Sequence, residues 1–326
     1  MNAVDHNNVV IFDDRGIPSI MCRFVRPKDT EEVPAVFKIG DKVADAIYIS
    51  KYPNIVIDGR AYSMPMADPT VNITFDEAVQ ACRCKGLGWH LMTAVEYEYL
   101  LNQSREKGTM PHGNTDWGKD YYHNEEQGKV SNLGRTYTGT GPVTWNHDHT
   151  PYGVSDLNGN VWEWLAGLRI KDGVIEFIPG NKAASPYCDL SKDSTEWQQA
   201  ETSKGPVRAN VECGEITITD AVAADDYEPN YDGVRIEELE VKLSEIPQVL
   251  KDLGIIPDKR AEEEGKTYVY FDATEGEYLP LRGSAFGNAS FSGPSALSLN
   301  NPRSSSHVSI GFRSAFYEVN GKLITE

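Results

Sequence analysis

The sequence predicts an α+β fold, in which a few helices pack against antiparallel strands. Three features indicate it: two apolar runs that flank a turn sequence near the N-terminus, two consecutive segments that open with helix-capping sequences, and a C-terminal segment in which apolar residues recur among small polar ones. With 326 residues and 40% hydrophobic content, the chain can bury a large core. We therefore expect one large domain and one small module.

An N-terminal hairpin is predicted over residues 8–26, where VVIF and IPSIMCRF lie on either side of the turn sequence Asp13-Asp14-Arg15-Gly16. A further strand is predicted over Ala46–Tyr52. We assign residues 1–45 to a small β-rich N-terminal module and residues 46–326 to the main domain.

Two helices follow, and each begins with a capping box, in which a Thr hydroxyl and a Glu carboxylate satisfy free backbone amides. The first box is Thr74–Glu77, and an apolar stripe at helical spacing runs from Phe75 to Cys82 before Gly86 ends the helix. The second box, Thr93–Glu96, predicts a helix to about Asn102. Both helices are expected to be scaffold.

Two long segments interrupt this pattern. Residues 104–155 are rich in Gly, Asn, Asp and Tyr, and so long a loop region in a compact domain is usually functional or held by other contacts. Residues 186–265 are acidic and end with a helical stripe over Ser244–Leu253. We interpret this second segment as an insertion into the main domain.

The formal net charge of −18 argues against nucleic acid and anionic membranes as partners, because both require a basic face. No stretch is as long and apolar as a membrane span. The first residues have neither the basic nor the apolar region of a secretory signal. We expect no membrane insertion, and production in the cytoplasm.

The cysteines form an odd and sparse set: Cys22, Cys82, Cys84, Cys188 and Cys213. Cys82 and Cys84 are too close in the chain to bridge comfortably, and no partner at zinc spacing follows them. We expect free thiols in a reducing compartment. His147 and His149 have the spacing of two metal ligands on a strand, but no third ligand is suggested, and a solvated loop is the alternative.

The most specific local motif is GVSDLNGNVWEW, residues 153–164. Four other stretches accompany it: Ile73–Leu101, His112-Gly113-Asn114, Leu281-Arg282-Gly283-Ser284 and Ile310-Gly311-Phe312-Arg313. Together they resemble, in the expected order, the formylglycine-generating (sulfatase-modifying) enzymes. The resemblance covers roughly residues 46–317 without the insertion, and it implies a C-type-lectin-like fold.

In that family the central motif can hold a calcium ion. Carried over to this sequence, the resemblance implies ligation by the Asp156 side chain, the Gly159 and Val161 carbonyls and the Glu163 carboxylate, which are hard oxygen ligands of the kind calcium takes. In the alternative interpretation, the motif is a metal-free turn whose two tryptophans fill the core. Calcium is thus a candidate ligand, and no cofactor is required.

The family's oxidase activity uses a C-terminal pair of cysteines that bind copper as thiolates. Here no cysteine follows Cys213, and both Cys188 and Cys213 lie in the insertion. We therefore predict that the chain is not an enzyme and has no catalytic residues, since a fold alone does not carry an activity. The alternative is a copper-dependent formylglycine-generating-type oxidase whose cysteines have moved.

The segment 281–317 differs in composition from the rest of the chain, because it contains no Asp, Glu or Lys and is crowded with Ser, Gly, Asn and Ala. Its layout resembles the variable region of diversity-generating-retroelement target proteins, which are C-type-lectin-fold binders often found on phage tails. In such proteins the variable codons are of the asparagine type, and their adenines are randomised. Those codons cannot give Lys, Glu, Gln, Trp or Met, and none of these occurs between Ala285 and Ser309.

The resemblance places a variable segment at about 282–313, with a fixed frame of Leu297, Leu299, Ile310 and Phe312. The candidate ligand-binding positions are Ala285, Phe286, Gly287, Asn288, Phe291, Ser298, Ser305, His307 and Ser309. The spacing of the last three predicts that they share one face of a strand. Phe286 and Phe291 are interpreted as aromatic anchors of the face, with burial in the core as the alternative.

We expect a binding protein that displays this face to a protein or glycan on a cell surface. The resemblance implies a phage or prophage surface protein of the tail, diversified by a retroelement and carried on the virion. A structural tail component that binds no ligand is a further alternative.

Overall fold

The computed structural model describes residues 6–224, 226–256 and 266–323. Its helices are α1 (Phe75–Arg83), α2 (Ala94–Lys107) and α3 (Gln248–Asp252). The strands in the first half of the chain are β1 (His6–Phe12), β2 (Pro18–Val25), β3 (Lys38–Ile39), β4 (Lys42–Val43), β5 (Ala46–Ser50), β6 (Ile55–Ile57), β7 (Arg60–Tyr62), β8 (His90–Leu91) and β9 (Trp162–Trp164).

The strands of the second half are β10 (Leu168–Lys171), β11 (Val174–Phe177), β12 (Gln198–Gln199), β13 (Glu201–Thr202), β14 (Gly205–Pro206), β15 (Arg208–Glu212), β16 (Glu215–Thr219), β17 (Tyr231–Arg235), β18 (Glu240–Lys242), β19 (Tyr268–Asp272), β20 (Glu277–Arg282), β21 (Leu297–Pro302), β22 (Ile310–Phe312), β23 (Ser314–Val319) and β24 (Lys322–Leu323). The predicted α+β class is therefore confirmed.

The first sheet joins the two ends of the described chain, in the strand order β1-β2-β5-β23-β24. The predicted N-terminal hairpin is confirmed, since β1 pairs antiparallel with β2. β2 then pairs with β5, so that Met21 lies opposite Ser50, and β5 pairs with β23. The expected boundary between residues 1–45 and 46–326 thus runs through one hydrogen-bonded sheet, and residues 1–5 lie outside the described part.

The second sheet has the order β17-β19-β21-β20-β10-β11-β15-β16-β18, and β9 pairs with both β20 and β22. The segment expected to be an insertion, residues 186–265, contributes β12 to β18 and α3. Its strands pair at both flanks of the sheet, β15 with β11 and β17 with β19. The segment therefore extends the sheet instead of standing apart from it; residues 225 and 257–265 lie outside the described part.

Both predicted capping boxes are confirmed, at Thr74 with Glu77 and at Thr93 with Glu96. α2 continues five residues beyond the expected Asn102, to Lys107. The added turn is stabilised by Ser104, whose buried hydroxyl donates to the Leu100 carbonyl at 3.1 Å. Gly108 then ends the helix in the left-handed conformation, at φ 65°. Within the described ranges, no helix has the length and apolar character needed to cross a lipid bilayer.

Candidate ligand-binding face

The sequence motifs that carry the family resemblance meet at one place in the structure. The Gly159 amide donates to the Gly283 carbonyl at 2.6 Å, and the Asn160 amide donates to the Asn114 carbonyl at 2.7 Å. At Gly113 the backbones lie so close that a Cβ would stand 1.7 Å from the Asn158 carbonyl oxygen. Glycine is needed there because no side chain fits. These contacts hold the start of the C-terminal segment, at Gly283, against the central motif.

Asn160 ties the long loop region to this junction. Its side-chain oxygen accepts hydrogen bonds from the Thr136 amide at 2.9 Å and from Asn114 Nδ2 at 3.2 Å. Its Nδ2 atom donates to the Thr136 carbonyl at 3.1 Å. Residues 104–155 are thus held by side-chain contacts to the central motif, which explains how a loop region of this length packs in a compact domain.

A buried ion pair supports the frame of the face. Arg313 Nε donates to Glu163 Oε2 at 2.6 Å, and Nη2 donates to the other carboxylate oxygen. The same guanidinium donates to the carbonyls of Ser50 and Ser155, each at 3.1 Å. A buried charge requires a counterion and satisfied hydrogen bonds. Arg313 and Glu163 are each other's counterion, and the carbonyls accept the remaining hydrogen bonds of the guanidinium.

The residues implied as calcium ligands do not fit a calcium ion as they are arranged. Both oxygens of Glu163 accept from Arg313, which already supplies a positive charge there. Asp156 accepts a hydrogen bond from the Gly139 amide at 3.0 Å, and burial raises the pKa of its carboxyl to about 6. The Gly159 carbonyl accepts from the Val161 amide. Among the described residues, no three His, Cys, Asp or Glu side chains are grouped so as to hold a metal.

The copper alternative depends on Cys188 and Cys213, whose surroundings differ. Cys188 is buried and Cys213 is exposed, and all five cysteines are free thiols. Burial raises the pKa of Cys188 to about 11, which keeps it protonated near neutral pH. A copper ligand must be a thiolate, so copper binding at Cys188 would have to release this proton.

A concave cavity of about 610 Å³ opens on the C-terminal segment. Its floor is formed by the largely buried side chains of Trp162, Leu281 and Ile310, which come from the paired strands β9, β20 and β22. The remaining lining contains no Asp, Glu, Lys or Arg and is mostly polar: Tyr270, Asn288, Ser298, Asn300, Asn301, Ser304, Ser305, Ser306, His307 and Ser309. The cavity therefore combines an apolar floor with a polar wall.

Five of the nine candidate positions lie in the wall of this cavity: Asn288, Ser298, Ser305, His307 and Ser309. The expected strand over 305–309 is wrong, because the chain forms a turn in which the Ile310 amide donates to the His307 carbonyl at 3.0 Å. The three side chains nevertheless line the same cavity. The predicted frame residues Leu297, Leu299, Ile310 and Phe312 are all buried.

The other four candidate positions divide into two pairs. Ala285 and Phe286 are buried, and the Phe286 ring lies edge-on to Trp117 with ring centroids 5.1 Å apart. Gly287 and Phe291 are exposed, and Phe291 lies 4.5 Å from the Tyr268 ring. Phe291 is thus exposed, whereas Phe286 packs into the protein.

Trp117 lies beside the candidate segment, and sequence reasoning did not identify it. It lies in the long loop region, and 62% of the residue is exposed. Its backbone adopts the left-handed conformation, at φ 51°. Its amide donates to the Phe286 carbonyl at 2.7 Å, which fixes the loop beside the candidate segment. Tyr121 and Tyr122 are exposed in the same loop. The aromatic-rich stretch WGKDYY is the only local feature that marks this loop, and it does not indicate that Trp117 lies beside Phe286.

Residues 51–208 match the family model described as the sulfatase-modifying factor enzyme 1-like domain. Together with the observed strands and helices, this match establishes a C-type-lectin-like fold of the formylglycine-generating-enzyme type.

Among curated proteins, the chain is similar to the formylglycine-generating enzyme of Mus musculus, with 36% identity over 105 residues. That match spans 30% of this chain and 27% of the relative's length. Among solved structures, PvdO from Pseudomonas aeruginosa aligns over 95% of this chain and 98% of its own, with a TM-score of 0.39 and 14% identity. The Major Tropism Determinant I1 variant aligns over 97% of this chain and 56% of its own, with a TM-score of 0.36 and 12% identity. Structural likeness at this level carries no argument about activity.

Proposed function

We propose that this chain is a ligand- or receptor-binding protein whose segment at about 282–313 forms a variable binding face. The observation that carries the proposal is the separation of two residue sets in one segment. The apolar frame is buried, whereas most candidate positions lie in the cavity wall or on the surface beside it. Such a layout allows the contact residues to change without disturbing the core, as in an antibody paratope.

The partner is a protein or a glycan on a cell surface, and the chain is carried on a phage or prophage particle as a tail protein diversified by a retroelement. The encoding DNA tests this origin. A near-copy of the segment encoding residues 282–313, with adenines at the candidate codons and a reverse-transcriptase gene beside it, is the expected finding. Its absence would favour a structural tail component.

Substitution tests the binding face itself. Fluorescently labelled protein is titrated onto a panel of bacterial cells, and His307→Ala and Phe291→Ala are compared with the unaltered chain. We expect altered cell binding with nearly unchanged melting temperatures, because both side chains are exposed. Leu299→Ala, in the buried frame, is the matched control and lowers the melting temperature. Large destabilisation by the two surface changes would contradict the proposal.

An oxidase is a second candidate, because the matched family model over residues 51–208 is that of a sulfatase-modifying enzyme. It requires copper binding and oxidation of a thiol in a substrate peptide. Both would have to depend on Cys188 or Cys213, which Cys188→Ser and Cys213→Ser test directly. We propose instead that the chain does not catalyse this reaction, since the C-terminal motifs Leu281–Ser284 and Ile310–Arg313 that resemble the family contain no cysteine.

A further inference from the structure

We infer that the cavity beneath Ser305 and His307 takes an uncharged sugar unit, so that the ligand of the face is a neutral glycan. This inference rests on the proposed binding function and adds the chemical class of the ligand. Three properties of the cavity carry it: the absence of acidic, Lys and Arg side chains in its lining, the hydrogen-bonding groups in its wall, and the aromatic side chains of Trp162 and Tyr270.

The lining contains no Asp, Glu, Lys or Arg among the described residues. This is unusual in a chain with 25% charged residues. A carboxylate, sulfate or phosphate on the ligand would therefore find no Lys or Arg side chain in the cavity. In addition, the net charge of −18 repels an anionic ligand as it approaches. Acidic glycans are disfavoured for both reasons, and an uncharged ligand avoids both costs.

The wall is preorganised to exchange hydrogen bonds with hydroxyl groups. Asn301 Nδ2 donates to Ser298 Oγ at 2.6 Å, and Ser298 Oγ donates to Asn300 Oδ1 at 2.5 Å. These bonds hold both amides and leave Asn300 Nδ2 as a donor and Asn301 Oδ1 as an acceptor. A sugar hydroxyl both donates and accepts, so this pair of amide atoms matches it.

His307 adds a third polar group with a fixed orientation. Its Nδ1 atom lies 2.8 Å from Ser309 Oγ, which leaves Nε2 for a ligand. Because the ring is exposed, the ligand contacts it without displacing protein atoms. Specificity in small-ligand sites comes from a few oriented polar groups of this kind.

Trp162 and Tyr270 line the same cavity. Aromatic rings offer an apolar body beside a polar edge, which suits the apolar C–H face of a sugar ring flanked by its hydroxyls. The volume of about 610 Å³ lies within the range of sites that enclose small ligands. A concave site of this size favours a compact polar unit over a flat protein surface.

The test compares binding to an array of neutral hexose and N-acetylhexosamine oligosaccharides with binding to sialylated and sulfated counterparts, and to bacterial cells. We expect neutral glycans to bind at least about tenfold more tightly than acidic ones, which is a 1.4 kcal/mol difference. Asn300→Asp keeps the acceptor for Ser298 but removes the outward donor and adds a charge, so it lowers binding at least about tenfold. Asn7→Asp, an exposed position on β1, is the matched control and leaves binding unchanged. Equal melting temperatures of the two variants establish that both are folded.

Treatment of the cells with periodate or protease distinguishes a glycan ligand from a protein ligand. Loss of cell binding after periodate oxidation, with retention after protease digestion, supports the glycan. Retention after periodate, with loss in Asn300→Asp, overturns the glycan ligand while the binding face stands, and a protein ligand follows. No binding to either array or cells overturns the glycan ligand together with the proposed function.

Discussion

The Arg313 guanidinium lies against the Glu163 carboxylate, with Nε 2.6 Å from Oε2, and both side chains are almost completely buried. Glu163 belongs to β9, and Arg313 directly follows β22, its parallel partner strand. The same two strands supply Trp162 and Ile310 to the floor of the cavity. The ion pair therefore fixes the spacing of the strands on which the candidate binding face is built.

Glu163→Gln is expected to destabilise the protein by about 3 to 5 kcal/mol, because it leaves the buried Arg313 charge without its counterion. Urea unfolding measures the change. Lys242→Met is the control, since it breaks the exposed pair of Lys242 with Glu240, and solvent-exposed pairs contribute little to stability. Similar losses in the two variants would show that burial of the Glu163 pair has no special energetic role.

Asp156→Asn tests the titration of a buried carboxyl. Burial raises the pKa of Asp156 to about 6 in the folded protein, above its value in the unfolded chain. The stability that this group contributes is complete below about pH 4 and is lost as the pH rises through 6. The amide cannot ionise, and Asn is well suited to the φ of 61°. We expect the variant to gain about 1 to 3 kcal/mol over the unaltered chain between pH 4.5 and 7.5.

Asp172→Asn is the matched control, because Asp172 also has a positive φ and accepts a glycine amide, from Gly276 at 2.8 Å. The hydrogen bond from Lys171 lowers the pKa of Asp172, so its pH dependence is opposite to that of Asp156. The stability that Asp172 contributes is lost as the pH falls. Parallel pH profiles of the two variants would contradict the raised pKa of Asp156.

Added calcium is expected to leave the melting temperature of the unaltered chain unchanged. If calcium raises the melting temperature of the unaltered chain but not that of Asp156→Asn, Asp156 is a calcium ligand after all.

Local patterns predicted those parts of the fold that are formed by neighbours in sequence. The capping boxes at Thr74 and Thr93 and the turn after Phe12 have complete signals within a few residues. The pairing of β2 with β5, and of β17 with β19, joins distant segments, and no local spacing indicates it. For the same reason, assigning residues 1–45 to a module and residues 186–265 to an insertion did not indicate which sheet strands they contribute.

The candidate site shows the same division. The resemblance implied nine candidate positions within residues 285–309, and five of them line one cavity. The period-two spacing at 305–309 gave no information about the turn that the chain makes there. The sequence left open whether Phe286 is exposed or buried, because Trp117, which packs against it, lies more than 150 residues earlier in the chain.

Trp117→Ala is expected to weaken cell binding at least about tenfold while changing the melting temperature little. An exposed tryptophan beside a binding surface is a common anchor of binding energy, and 62% of Trp117 is exposed. Tyr187→Ala is the control, since Tyr187 is 76% exposed but belongs to the segment after β11. Unchanged binding in Trp117→Ala would restrict the face to the C-terminal segment, whereas equal effects of both variants would indicate nonspecific adhesion.

Gly113→Ala and Gly287→Ala test whether the scaffold and the replaceable surface are physically separate. A Cβ at residue 113 would stand 1.7 Å from the Asn158 carbonyl oxygen, so the two backbones must move apart and the junction with Gly159 is disturbed. At residue 287 the nearest atom is 3.6 Å away, on the exposed Trp117 ring, which is an ordinary contact. We expect Gly113→Ala to cost at least about 3 kcal/mol by overpacking and Gly287→Ala to cost under about 0.5 kcal/mol. Thermal and urea unfolding measure both values. Comparable losses at the two positions would mean that the segment around Gly287 is part of the scaffold, and that it cannot vary freely.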